Sequence, residues 1–568
     1  MTMKLFNYQK LFFYLLIFNC FFYVKAQNLQ LTNLFQAHPT TPSYSVTSNY
    51  LKAQANGDIY SNVVASGSVN IFGNQINTGA NKASVFSKLN SAGSLQWQAY
   101  ISSFDIQSAS YYNSNCIDQN AQGEIIYAIR TLGNSNFKSN SGLNIPLINN
   151  GHEIIKISDT GELLWKKSIN SPTPKVFCFY DRNGDVIVWL GQNGGTDLLF
   201  DNQPYNEVKS FIAKLDGQTG NLIYLKKYDN LDPWTGNIAF DENNNLYAFY
   251  EPFNPAPNNI FNIGNIQING NSDQFNFFMI KFDTSGNPIF GKNFYESLPA
   301  GIEKYSWANH VRYDGNNFLI YEVLASASNP NLSFLTIDGI YHPNPYQNKY
   351  IANAISKVSK TGAVLSSVPI FTSGTYDSNS FDIDATGNGY IYGRWSDKVT
   401  IENTEYQMNN YSSNIIKFNS NGTLSYIEPI VNNTFSDLNQ KISVLPGNKI
   451  LISGNTSAQS IKGQPLSNTS NKDYYIAELV PSGTLSIKES TKDTHLKIYP
   501  NPVYNFIGIE GNNKSSFAKI YDLSGKLIMS TVISSNRIEA VTLPTGNYIL
   551  EIFDHANKLI EIKKFIKK

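Results

Sequence analysis

Six lysines recur at one position of a repeated pattern, each ending an apolar run before a Gly turn. They are Lys88-Leu-Asn-Ser-Ala-Gly93, Lys156-Ile-Ser-Asp-Thr-Gly161, Lys214-Leu-Asp-Gly-Gln-Thr-Gly220, Lys281-Phe-Asp-Thr-Ser-Gly286, Lys357-Val-Ser-Lys-Thr-Gly362 and Lys417-Phe-Asn-Ser-Asn-Gly422. A seventh copy, Glu478-Leu-Val-Pro-Ser-Gly483, lacks the Lys. Such ammonium groups could ring a central ligand; the plainer reading lays each stem against the next unit, with its head in water or on a turn carbonyl. Asp181-Arg-Asn183-Gly-Asp185 alternates oxygen side chains as a calcium loop does. Its Gly is misplaced and no bidentate acid follows at the needed distance, so it reads as a hairpin turn. The chain has no His-Glu-x-x-His, Gly-x-Ser-x-Gly or Gly-x-x-x-x-Gly-Lys-Ser/Thr motif, and its 6 His are scattered without metal-ligand spacing. The expectation is no catalytic, metal or cofactor-binding residue. Cys116 and Cys178 fall on inner strands of adjacent units and read as buried free thiols rather than a disulfide.

The elements that carry these residues form a repeating unit. An apolar residue follows most of the Gly by two positions (Leu95, Leu163, Leu222, Val364, Leu424, Leu485), and an aromatic follows five of them by four (Trp97, Trp165, Tyr224, Phe290, Tyr426). A second hairpin recurs in phase, at Asn56-Gly57, Gln122-Gly123, Asn183-Gly184, Asn243-Asn244, Asp314-Gly315, Gly387 and Gly447. Asn-Gly and Asp-Gly suit tight turns because both central residues need positive φ. Each unit therefore holds about four strands, and the period of roughly 60 to 75 residues is that of propeller blades with long loops. Ile154-Ile155-Lys156-Ile157, Met279-Ile280-Lys281-Phe282 and Ile415-Ile416-Lys417-Phe418 are apolar on both faces, as strands between two neighbouring blades must be. About seven such sheets stacked radially are expected, with Leu29 to Ala37 closing the ring against the last one.

The N-terminus has the layout of a secretory signal peptide: Lys4 and Lys10, an apolar run from Leu11 to Val24, and Val24-Lys25-Ala26 before a cut at Gln27. Cys20 raises a lipoprotein alternative, disfavoured by the bulky Phe18-Asn19 before it. No later stretch is long and apolar enough to span a bilayer as a helix. The 43 basic and 43 acidic residues cancel, which gives nucleic acid no electrostatic footprint. Only 15% of residues are charged, against roughly 25% in typical soluble proteins. That is the composition of a β-rich extracellular protein.

The last residues read Lys497-Ile-Tyr-Pro-Asn-Pro-Val-Tyr-Asn-Phe-Ile-Gly-Ile-Glu510, Ala518-Lys-Ile-Tyr-Asp-Leu-Ser-Gly-Lys-Leu-Ile528, Leu543-Pro-Thr-Gly-Asn-Tyr-Ile-Leu550 and a basic end. Alternating runs separated by Ser524-Gly525 and Thr545-Gly546 turns predict a small all-β domain, and Pro500-Asn501-Pro502 must sit outside any central strand. This tail resembles the type A C-terminal sorting domain of the type IX secretion system of Bacteroidota, through Tyr499, Pro500, Asn501, Pro502, Gly525, Pro544, Gly546 and Tyr548. The resemblance implies an Ig-like β-sandwich read by an outer-membrane translocon. It also implies removal by a sortase-like peptidase, with the mature protein either released or joined to a surface lipopolysaccharide.

The body is similar to bacterial beta-propeller repeats with the pattern Lys-Leu-Asp-x-x-Gly-x-Leu-x-Trp followed by a Gly-Asn-x-Tyr-Val hairpin. Lys214 to Tyr224 also resembles the tryptophan-docking motif of quinoprotein propellers, but no adjacent cysteines or calcium ligands accompany it, so blade packing explains it. Ser158-Asp159-Thr-Gly161 before Trp165 is similar to the Asp box of sialidases with its Trp displaced by one residue, and reads as a turn. The expected organisation is a signal peptide (1–26), a β-propeller of about seven blades (27–488), a linker (489–494) and a sorting domain (495–568). The functional expectation is a secreted or surface-held module binding a protein or glycan through loops such as Asn254 to Asn259 and Asn329 to Tyr346. The alternative is a glycan-active hydrolase or lyase whose acids come from several blades; inner-strand positions read as Asn, Ser and apolar residues speak for binding.

Overall fold

Strands apolar on both faces need cover on both faces, and the His152–Ile157 strand, buried at all 6 positions, shows the outcome. The computed structural model describes residues 29–39, 46–104, 116–148, 150–170, 175–191, 196–231, 233–252, 260–270, 275–297, 309–326, 334–338, 340–346, 351–374, 376–408, 412–431, 438–458, 460–466, 473–481, 497–510, 515–522, 527–554 and 559–568. The signal-peptide and linker readings, Cys20, Gly525 and the Asn254 to Asn259 loop lie outside these residues. Contacts divide the chain into two units, Met1–Pro481 and Ser482–Lys568.

In the first unit the described strands form seven four-stranded antiparallel blades. Their innermost strands are Val46–Ala53, Ile117–Gln119, Lys175–Tyr180, Pro233–Phe240, Asn309–Tyr313, Tyr376–Ile383 and Leu438–Leu445, for blades 1 to 7 in order. The ring closes as expected. Leu29–Pro39 is the outermost strand of blade 7, pairing antiparallel with Asp473–Pro481 from Leu29↔Pro481 to Ala37↔Tyr474. Apolar side chains seal the joint: Leu445, Leu451 and Tyr474 of blade 7 share one buried cluster with Val46, Leu51 and Val63 of blade 1. The fold is an all-β, seven-bladed propeller.

The long stretches that stretched the sequence period are hairpins. Each blade carries one between its second and third strands, and each hairpin reaches back to the outermost strand of the preceding blade. Backbone pairing makes five of these joints: Ala37↔Ile71, Tyr100↔Lys138, Ile169↔Phe200, Glu296↔Ile337 and Ile370↔Ile401. Asn230 Nδ2 to Asn262 O (2.9 Å) and Lys462 N to Ile430 O (3.2 Å) make the other two. An outermost strand exposes unpaired N–H and C=O groups, and these hairpins cover part of that edge. Phe334–Ile337 and Ile340–Pro343, inside one expected ligand loop, are such a hairpin.

The aromatics four positions after Gly dock on the next blade. Trp97 Nε1 donates to Asp159 O (2.5 Å) and Trp165 Nε1 to Gly217 O (3.2 Å). A Cβ built on Gly161 or Gly220 would stand 2.8 Å from the Trp97 or Trp165 ring, so only Gly lets the indole approach. Blade 7 takes its aromatic from the closing strand: Phe35 covers Gly93, where a Cβ would meet the ring at 1.8 Å.

The second unit, described by itself, packs a three-stranded sheet containing Lys497–Tyr499 and Phe506–Glu510 with a four-stranded sheet built on Ser515–Asp522 and Gly546–Asp554. One buried cluster, including Val503, Ile507, Leu550 and Phe565, fills the sandwich.

Candidate functional site

The innermost strand of each blade leaves one backbone edge facing the axis, and side chains from the neighbouring blade occupy much of it. Asp118 Oδ2 accepts from Tyr180 N (2.8 Å), Ser380 Oγ from Ile442 N (2.8 Å), Asp382 Oδ2 from Val444 N (2.9 Å) and Asn455 Oδ1 from Ser48 N (2.8 Å). These strands enclose a channel of about 500 Å³ walled by residues of all seven blades.

Its lining corrects the expectation of Asn, Ser and apolar residues. Two positions before the turns of the series that begins with Asn56-Gly57, the lining has Lys52, Asp118, Phe179, Ala239, Arg312 and Asp382; four before them it has Tyr50, Asn237, His310, Ser380 and Lys441. The repeat scaffold is nearly constant, and this variation is confined to strands that each look like an ordinary core strand. The signal that could have found it is the layer read across blades. No single blade shows it.

Arg312 Nε lies 3.0 Å from Asp382 Oδ1, tying blade 5 to blade 6. Burial opposes ionisation of Asp382, but the charges of Lys52 and Arg312 and the Val444 and Arg312 hydrogen bonds outweigh it and hold the carboxyl below the usual range. At Asp118 burial wins and the carboxyl is pushed up, despite bonds from Tyr180 and Gln119 N–H and the charges of Lys52 and Arg312. Each of the four carboxylate oxygens already accepts a hydrogen bond. The hydroxyls of Tyr50 and Tyr180, residues 9% and 8% exposed, are buried with no hydrogen-bond partner among the described residues. Burial raises both phenols, so they stay neutral at any ordinary pH.

Cys178 Sγ donates to Cys116 O (2.9 Å) between blades 2 and 3, and both cysteines are buried and not joined in a disulfide. Burial pushes Cys116 up to about 12. Among the described residues, no group of three or more His, Cys, Asp and Glu side chains could hold a metal ion.

The repeated lysines are engaged in each blade's own hairpin. Lys88 pairs with Asp58 (3.1 Å), Lys156 with Glu124 (2.6 Å), Lys214 with Asp181 and Asp185 (2.8 and 3.0 Å), and Lys357 with Asp314 (3.0 Å). Lys281 lies 3.8 Å from Asp241 and over the Tyr247 ring; Lys417 lies over Tyr390 and Tyr426. Lys156 and Lys357 also donate to turn carbonyls of the next blade, Gly217 O (2.7 Å) and Ser420 O (2.9 Å). Asp181 Oδ1 accepts from Asn183 N and Asp185 N (both 2.9 Å), so the calcium-like loop is a turn whose acids hold the Lys214 ammonium. Ser158 Oγ likewise accepts from Thr160 N (3.2 Å) and Glu162 N (3.0 Å).

In the tail, Tyr499 ends its strand with its ring against Gly508, and Pro500 follows. Asn501 Oδ1 accepts from Ile566 N (3.0 Å), and Pro502 leads into Val503, whose N–H donates to Ile566 O (2.6 Å). Pro544 O accepts from the Tyr548 hydroxyl (2.8 Å), Gly546 opens the strand between them, and Tyr548 stacks on Phe565. The motif thus ties both ends of the tail to its last strand.

Residues 497–568 match the family described as "Secretion system C-terminal sorting domain". No curated protein matches the chain. Among solved structures, virginiamycin B lyase from Staphylococcus aureus is 11% identical at a TM-score of 0.37, over 79% of this chain and 99% of that one. Polysaccharide lyase Uly1 is 8% identical at 0.39, over 79% and 99%. PorZ, a surface component of the type IX secretion system of Porphyromonas gingivalis, is 10% identical at 0.16, over 95% and 100%. At these TM-scores the strand pairing, not the likenesses, carries the propeller assignment. The tail does have its family: residues 497–568 are a C-terminal sorting domain of the type IX secretion system, which directs this propeller protein through the periplasm to the cell surface or beyond.

Proposed function

We propose that the propeller is a binding module whose ligand enters the central channel. The observation that carries this is the pair of buried, unpartnered hydroxyls of Tyr50 and Tyr180 in a channel of about 500 Å³. A buried hydroxyl without a partner costs about 1–3 kcal/mol, and a bound ligand can offset that cost. The channel carboxylates are spent on joining blades, which favours binding over acid–base catalysis. Around this module the chain is organised as a signal peptide (1–26), the propeller (27–488), a linker (489–494) and the tail (495–568). Tyr499, Pro500, Asn501, Pro502, Gly525, Pro544, Gly546 and Tyr548 form the signal offered to the translocon and to a sortase-like peptidase, which releases the protein or joins it to surface lipopolysaccharide.

The test is a glycan and protein array probed with the exported mature protein, repeated with Tyr50→Phe and Tyr180→Phe. Each change removes one oxygen atom, so the melt should hold or rise while binding weakens about tenfold. A ligand bound equally by both variants would move the site elsewhere.

A further inference from the structure

Among the described residues that line the channel, positive and negative side chains are unequal in number. Lys52, Arg182, Arg312 and Lys441 line it against two carboxylates, Asp118 and Asp382. Arg312 is taken by Asp382, whereas Lys52 makes no ion pair among the described residues, and exposed Arg182 lies with its guanidinium 5.5 Å over the Tyr313 ring. Among the described lining residues cations therefore outnumber carboxylates, in a cavity whose low-dielectric walls strengthen any field they make. The walls are also aromatic: Phe179, Tyr180, Phe240 and Tyr313 line the same space.

We infer that the ligand is an acidic saccharide, with its acid group drawn to Lys52 and Arg182, its hydroxyls on Tyr50 and Tyr180, and a ring face against the aromatic wall. This rests on the channel being the binding site. Each feature has a chemical counterpart in one sugar-acid unit. Cations answer a carboxylate or sulfate, neutral phenols can both donate to and accept from sugar hydroxyls, and aromatic faces cover the apolar C–H face of a pyranose ring. A channel recessed between blades also suits a narrow oligosaccharide better than a broad protein surface.

The experiment measures binding of the exported protein to four probes by calorimetry: a uronate oligosaccharide, a sulfated oligosaccharide, a neutral oligosaccharide of equal length, and an Asp/Glu peptide. The expected result is binding of at least one acidic sugar, at least tenfold tighter than the neutral one, weakened by salt, and weakened at least tenfold by Lys52→Met or Arg182→Met. The uronate and sulfate arms separate the two sources of acid. Lys52→Met keeps the stem, and if it fails to fold, Arg182→Met at the exposed mouth carries the test. Neutral sugar bound as tightly as acidic sugar, yet weakened by Tyr50→Phe, would overturn the acidic ligand and leave the channel. Acidic sugar bound equally by Tyr50→Phe and Lys52→Met would overturn both. Tightest binding by the peptide, or no binding by any probe, would overturn the acidic saccharide.

Discussion

Lys449 Nζ lies 3.2 Å from Glu478 Oε2, and this pair is the mirror image in charge of the pair that recurs in other blades. Where blades 1, 2 and 3 have Asp58, Glu124 and Asp185 after the hairpin Gly, blade 7 has Lys449; where six blades have Lys, blade 7 has Glu478. The apparent loss of Lys in the seventh copy is an inversion. The closing strand gives a reason, since Glu478 Oε1 also accepts from Thr32 Oγ1 (2.7 Å) and Asn33 Nδ2 (3.2 Å), which a Lys could not do.

Glu478→Lys and Lys449→Asp should each destabilise the propeller by about 1–2 kcal/mol, since one partner is nearly buried. The double swap should recover part of the loss in a denaturation cycle. Recovery stays incomplete because the Thr32 and Asn33 bonds are not restored; strictly additive losses would show that the pair does not couple.

The lysine positions should not respond alike to loss of their charge. Lys156 is 2% exposed and serves both Glu124 and Gly217 O, so Lys156→Met should cost about 2 kcal/mol. Lys281 is 3.8 Å from its acid and its side chain is 24% exposed, so Lys281→Met should cost well under half as much. Equal urea midpoints for the two would refute the ranking.

Ring closure predicts that deleting residues 29–39 abolishes a single cooperative melt, because blade 7 loses its outer strand and blade 1 its docking ring. The milder Phe35→Ala should keep the fold and lower stability by about 2–3 kcal/mol. An unchanged melt after the deletion would mean an open array.

Two channel acids should respond to pH in opposite ways. Asp382 is held below its unfolded value, so its contribution to stability is present at neutral pH and lost as pH falls through its folded value. Asp118 is raised, so its ionisation costs stability above its folded value and that cost disappears in acid. Asp382→Asn should therefore destabilise at pH 7 far more than at pH 3, while Asp118→Asn should be near neutral or stabilising at pH 7. Urea midpoints across that range check the signs.

Removal of residues 495–568 should leave the protein in the periplasm, and the same segment behind a signal peptide should send a reporter out. Fractionation of cells expressing both forms decides; surface delivery of the truncated protein would refute the need for the tail.

Much of the architecture was legible in the chain because it repeats. Lys-apolar-turn-Gly and a following aromatic recur, and each copy meets the same neighbour in the ring, so Gly161 and Gly220 leave room for Trp97 and Trp165 in the same way. The tail was legible for a related reason: Asn501 and Tyr548 act through contacts inside one small sandwich. What only the tertiary structure decided depends on bringing together residues that share no local pattern. Lys52, Asp118, Arg312 and Asp382 stand on four blades, and each by itself is one charged residue near a strand end. A channel exists only after seven strands have converged, so its charge and its unpartnered hydroxyls are properties of the ring and of no segment within it.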